Sequence, residues 1–166
     1  MQCPNCGHEQ AANESPEPNF FRPWHIRGRN SVRQYVESLG EEANEWLLAL
    51  YIDEYFQLLA VDTVARGDVG SCIVPFRKIF SRGHSLNAHG FLLVHNHPSG
   101  DPTPSRPDIE VTKRLFDTAK NIEMPLVDHL IIAGDRMYSV MLCEVYRAAP
   151  SSRPGQADAP YLTVVE

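Results

Sequence analysis

Apolar residues along this chain follow two rhythms. Phe91-Leu92-Leu93-Val94 is an unbroken apolar run and reads as a buried strand. Two strands are read before it, at 45–52 and 57–65, as a pair joined by a turn, with a short third at 71–74. After it, 130–133 and 137–141 flank Gly134-Asp135 and make a second hairpin. Three other stretches carry helical spacing. Ser31 caps the first, which aligns Val32, Tyr35, Val36 and Leu39 and stops at Gly40. Pro75 opens the second at N1, running to about His89, with Phe76, Ile79, Phe80 and Leu86 facing the sheet. Gly83 weakens it by ~1 kcal/mol relative to Ala. The third spans 106–121, with Ile109, Thr112, Leu115, Phe116 and Ala119 on one face and Pro107 tolerated in the first turn. The sum is α/β: a mixed, mostly antiparallel sheet flanked by helices.

The 166 residues suit one domain with tails. Residues 1–29 read as an N-terminal CxxC segment and linker, 30–148 as the domain, and 149–166 as a flexible C-terminal tail. The apolar end of that tail could add as a strand to a partner. Cys3-x-x-Cys6 has the shape of half a zinc-ribbon knuckle. His8 or His25 could join it, but a structural zinc needs four ligands and no second CxxC follows. Cys72 and Cys143 fall in strand-like runs and read as small buried hydrophobes, so the cysteines do not form a disulfide framework.

Composition narrows the function. An apolar share of 43% supports a real core. The net charge of −6 gives no support to general nucleic-acid binding, which uses a basic face. No apolar run reaches ~18 residues, so no membrane span is expected, and no signal pattern opens the chain. The expected location is cytoplasmic.

The chemistry gathers at His95-Asn96-His97, directly after the apolar run. In a strand, side chains two apart share a face, so His95 and His97 offer two imidazoles side by side. Pro98, Ser99, Gly100, Asp101, Pro102, Thr103 and Pro104 cannot continue a strand or a helix and form a tight loop. It returns at Ser105 and Asp108. Asp108 can complete a His-His-Asp set for zinc with a fourth position left for water. The same two residues also fit a helix start, Ser105 as N-cap and Asp108 at N3. Ligand type, number and spacing together favour the metal. His84 and His89, in the second helix, read as surface residues.

This pattern, H-x-H, seven residues, then S-x-x-D, is the JAMM motif, and the chain resembles the JAB/MPN metalloproteins. The longer string, with Thr112, Leu115, Ala119 and Asp128-His129-Leu130-Ile131-Ile132, resembles their RadC-type branch. The resemblance covers residues 30 to 142. It implies a deaminase-like α/β fold and a glutamate on the first strand. Glu45 fits that place, opening a strand that ends in Leu50-Tyr51-Ile52-Asp53; Glu54, the other candidate, falls in the hairpin turn. It also implies a zinc metallopeptidase or isopeptidase acting on a peptide or protein substrate. Zinc would hold water acidified to a pKa of about 7. Glu45 would move its proton, and Ser105 would donate to the oxyanion. His129 could steady a ligand from behind or cap a strand, and the structural role is the one favoured. The competing reading is a metal-binding module without catalysis, attached to DNA repair or a mobile element. A nuclease of the HNH type would spread its residues along a ββα unit. A zinc deaminase would need H-x-E followed by P-C-x-x-C, an order absent here.

Overall fold

The structure, a computed structural model, describes residues 39–67, 74–148 and 162–165. Its strands are β1 (Trp46–Ile52), β2 (Leu58–Arg66), β3 (Gly90–Asn96), β4 (Leu126–Ala133), β5 (Arg136–Ser139), β6 (Glu144–Ala148) and β7 (Leu162–Val165). Its helices are α1 (Phe76–Ser85), between β2 and β3, and α2 (Arg106–Asn121), between β3 and β4. The strands form one sheet in the order β2-β1-β3-β4-β5-β6-β7. Only the β3–β4 pair is parallel, and α2 is the crossover it requires. The expected α/β class with a mixed, mostly antiparallel sheet is met.

The inner strands read as unbroken apolar runs because both their faces are covered. Leu47, Ala49, Tyr51, Phe91 and Leu93 pack with Ile79 of α1 and Leu115 and Ala119 of α2. Leu48, Leu50, Ile52, Leu92, Val94, Leu130 and Ile132 pack on the opposite face with Met137 and Leu39. Asp53 closes the β1–β2 turn, its Oδ1 accepting from the N–H groups of Tyr55 and Gln57 at 2.8 Å each. Residues 39 and 40 are helical, where the first expected helix ends. The rest of that helix, the N-terminal CxxC pair, and 71–73 of the expected third strand lie outside the described residues.

Several bounds differ from expectation, for local reasons. Pro75 caps α1 rather than opening it, and the helix stops at Ser85. Asn87 turns the chain with φ 52°, and the N–H of His89 already donates to Ile52 O. β4 begins at Leu126, four residues ahead of the expected 130, because Asp128 and His129 are strand residues buried with partners. Cys143 lies in a turn with φ 57° and is disulfide-bonded, correcting its reading as a small hydrophobe in a strand. Residues 162–165, assigned to the flexible tail, pair with β6 as β7.

Candidate metal centre

Strand alternation and strand register build this site. β3 runs antiparallel to β1 with His95 opposite Leu47. His95 and His97 share the helix-covered face, as period 2 requires. The register ends at that pair; Glu45, two residues before Leu47, is near enough for its carboxylate to act electrostatically on His97. After His97 the loop reverses the chain and α2 starts. Ser105 is the N-cap and Asp108 is N3 of a complete capping box, with the Asp108 N–H donating to Ser105 Oγ and the Ser105 N–H to Asp108 Oδ2. The helix-start reading is met, and the ligand reading is compatible with it.

Three ligand atoms converge. His95 Nε2 lies 2.9 Å from His97 Nε2 and 3.3 Å from Asp108 Oδ1, and His97 Nε2 lies 3.4 Å from Asp108 Oδ2. All three fall within 4.8 Å of one another, a spacing that could hold a metal ion. His95 and Asp108 are buried, and His97 is 13% exposed at its side chain.

The hydrogen bonds behind these groups decide which atoms face inward. The Thr112 hydroxyl donates to Asp108 O at 2.6 Å, so its oxygen is left to accept from His129 Nδ1–H, also at 2.6 Å. His129 Nε2 is then unprotonated and accepts from His95 Nδ1–H at 2.8 Å. That leaves a lone pair on His95 Nε2, aimed at Asp108 and His97. His97 Nδ1–H donates to Asp101 O at 2.9 Å, which turns its Nε2 toward Asp108. Each imidazole thus has its outer nitrogen tied and its inner one turned to the centre, the arrangement ligating histidines use.

The electrostatics of the two imidazoles run in opposite directions. Burial foremost, then the neighbouring His129, pushes the His95 pKa well down, and burial brings His129 to about 4. Burial alone would raise Asp108. The hydrogen bond with His97, the charge of His95 and the bonds from Ser105 outweigh it and hold the carboxyl below the usual carboxylate range. His97 is raised, chiefly by its hydrogen bond with Asp108, with the Glu45 carboxylate among the charges acting on it. A cation would displace the proton that Asp108 favours on His97, and the N,N,O set then left is one zinc takes.

The loop that returns the chain is braced. Asp101 Oδ1 accepts from the Thr103 N–H and hydroxyl, at 3.0 and 2.8 Å. Arg136 of β5 donates to Gly100 O. These bonds place the Asp101 carbonyl that orients His97. Glu45 is half-buried just before β1. Glu54 lies in the exposed turn at the opposite end of that strand, and His84 and His89 are exposed. Ser105 is exposed, and its hydroxyl donates to Asp108 Oδ2.

Residues 26–145 match the RadC-like JAB domain. The chain belongs to that family. It is similar to the UPF0758 protein of Bacillus pumilus, 43% identical over 113 residues, which make 68% of this chain and 49% of that protein. The UPF0758 protein YsxA of Bacillus subtilis is 42% identical over 111 residues, 67% of this chain and 46% of that one. A UPF0758 protein of Desulforamulus reducens is 40% identical over 105 residues, 63% and 46% of the two chains. The chain spans about half the length of these relatives. The expected RadC-type JAB/MPN membership is met. Among the described residues of this RadC-like JAB domain, no helix is long and apolar enough to cross a membrane.

His129 is the residue the sequence undervalued. Expected to serve structure, it bonds directly to His95 through Nε2. The available signal was its place beside Asp128 amid apolar residues, since a buried polar pair needs partners.

Proposed function

We propose that this chain is a zinc-dependent hydrolase of amide bonds, a peptidase or isopeptidase. The observation that supports the reading is the convergence of the ligand atoms of His95, His97 and Asp108 within 4.8 Å of one another. His95, His97 and Asp108 would hold the ion. When bound, zinc supplies Lewis acidity for a carbonyl and acidifies water. The chain's own groups do the rest. Glu45 takes the proton of the attacking water on its carboxylate and returns it to the departing amine. Ser105 turns its hydroxyl from Asp108 Oδ2 to the developing oxyanion, while its N–H keeps Asp108 in place. Loss of one such donor typically costs about 3 kcal/mol.

The test has two arms, both in a Cys3→Ser/Cys6→Ser background that removes the other candidate ligands. Metal analysis should find one zinc per chain, lost in His95→Ala/His97→Ala; undiminished zinc in that variant would remove the centre. A panel of peptide, isopeptide and DNA substrates is then offered to the wild type and to Glu45→Gln. Amide cleavage lost in Glu45→Gln with zinc retained supports the proposal. Cleavage of DNA alone would favour a repair role. Silence on every substrate with zinc bound would favour a module that binds metal without turnover.

A further inference from the structure

Asn96 stands between the two histidines and faces the other side of the sheet. It is buried, and its carboxamide is fully engaged with the segment that leads into β1. Nδ2 donates to Glu42 O at 3.2 Å and to Asn44 O at 2.9 Å, and Oδ1 accepts from the Trp46 N–H at 2.8 Å. In an extended chain, the carbonyl before a residue and the N–H after it point to one side, and the residue's own carbonyl points to the other. Asn44 O and Trp46 N–H therefore define the β3 side of Glu45. The opposite side is held by β2's end, where the Gly67 N–H donates to Glu45 O at 2.8 Å. On the β3 side the Trp46 N–H is taken by a side chain, Asn96 Oδ1, and not by a main-chain carbonyl. The β1–β3 register ends at Leu47 and His95, while β3 stays paired with β4 on its other side, the His97 N–H donating to Ile132 O at 2.7 Å. The side-chain amide of Asn96 thus bonds the main chain on both sides of Glu45, at Asn44 O and at the Trp46 N–H.

We infer that Asn96 is a positioning residue for Glu45, fixing its backbone from the β3 side so that its carboxylate stands beside His97. The inference rests on the proposed role of Glu45 as proton acceptor, but its principal test needs no substrate. Amide hydrogen exchange is followed by NMR on the full chain. In Asn96→Leu, close in size but without donor or acceptor, the Trp46 amide should exchange about tenfold faster or more. Amides in the middle of β1 and β3 should keep their protection, and zinc should remain at one per chain. If that variant does not fold, Asn96→Ser, too short to reach all three partners, is read the same way. Unchanged exchange at Trp46, or faster exchange spread evenly over both strands, would overturn the inference. On an amide substrate found by the panel above, kcat should fall about 100-fold at unchanged KM, the scale of a misplaced reacting group. Full kcat with the Trp46 amide unprotected would also overturn it. A wild type that cleaves nothing would defeat the proposed function, while the exchange result would still decide what Asn96 holds.

Discussion

A single hydroxyl sets the protonation pattern behind His95, and it can be removed without changing shape. Thr112→Val deletes the group that donates to Asp108 O and accepts from His129 Nδ1–H. The carbonyl loses little, because it retains its helical N–H partner. The His129 N–H is left buried without an acceptor, at a cost of about 1–3 kcal/mol. For a chain of this length that lowers Tm by roughly 2–12 °C. The sharper effect is on the metal. A His129 freed to carry its proton on Nε2 would turn that proton toward His95 Nδ1 and drive the His95 proton onto the ligating nitrogen. Disturbing such a partner typically costs 10- to 100-fold in metal affinity, about 1.4–2.8 kcal/mol. Competition for zinc against a chromophoric chelator, in the Cys3→Ser/Cys6→Ser background, measures it. Thr112→Ser keeps the hydroxyl and should keep the affinity. Equal zinc affinity in the Val and Ser variants would refute the reasoning and leave Thr112 a packing residue.

Three further outcomes are expected. Asp128 accepts three hydrogen bonds, from Ser139, His129 and Met141, yet burial outweighs them and raises its pKa from 3.8 to about 7. A carboxyl raised in the fold contributes stability below its unfolded pKa and loses it as pH climbs to the folded one. Asp128→Asn should thus gain on the wild type between pH 4 and 7, by about 4 kcal/mol at most; urea unfolding that shows a constant difference across the range would mean the carboxyl is ionised in the fold. Gly90→Ala would put a methyl 2.9 Å from Pro125 O and 3.3 Å from Val127 Cγ2. It should cost about 1–3 kcal/mol in thermal unfolding, and an unchanged Tm would show that β3 and the strand after α2 can part. Asp101→Ala frees the loop that orients His97 and should weaken zinc binding by less than about tenfold with Tm almost unmoved; a large drop in Tm would make the loop part of the core.

Much of this arrangement was legible in the sequence because its signals are local. The run at 91–94, the alternation through His95 and His97, and the Pro-rich loop fix one strand end. The spacing from Ser105 to Ala119 fixes α2 to the residue, since its capping box and apolar face agree. What stayed hidden depends on contacts distant in sequence. Asp128 and His129 look like the polar edge of a strand until Ser139 and His95 supply their partners. Asn96 looks like a spacer until the residues fifty positions upstream come to rest on it. The disulfide at Cys143 could not be read from residues scattered singly along apolar runs.

The capping box of α2 bears on how related sequences should be read. Ser105 and Asp108 begin a helix whether or not an ion is nearby, so a descendant that had abandoned metal chemistry would still be selected to keep them for stability. His95 is embedded in the interior and would also be costly to replace. His97 has the least structural work: a rim position, a bond to a loop carbonyl and its pairing with Asp108. Among family members it is the first ligand expected to drift once selection on chemistry lapses, and so the most informative position for separating working copies from retired ones.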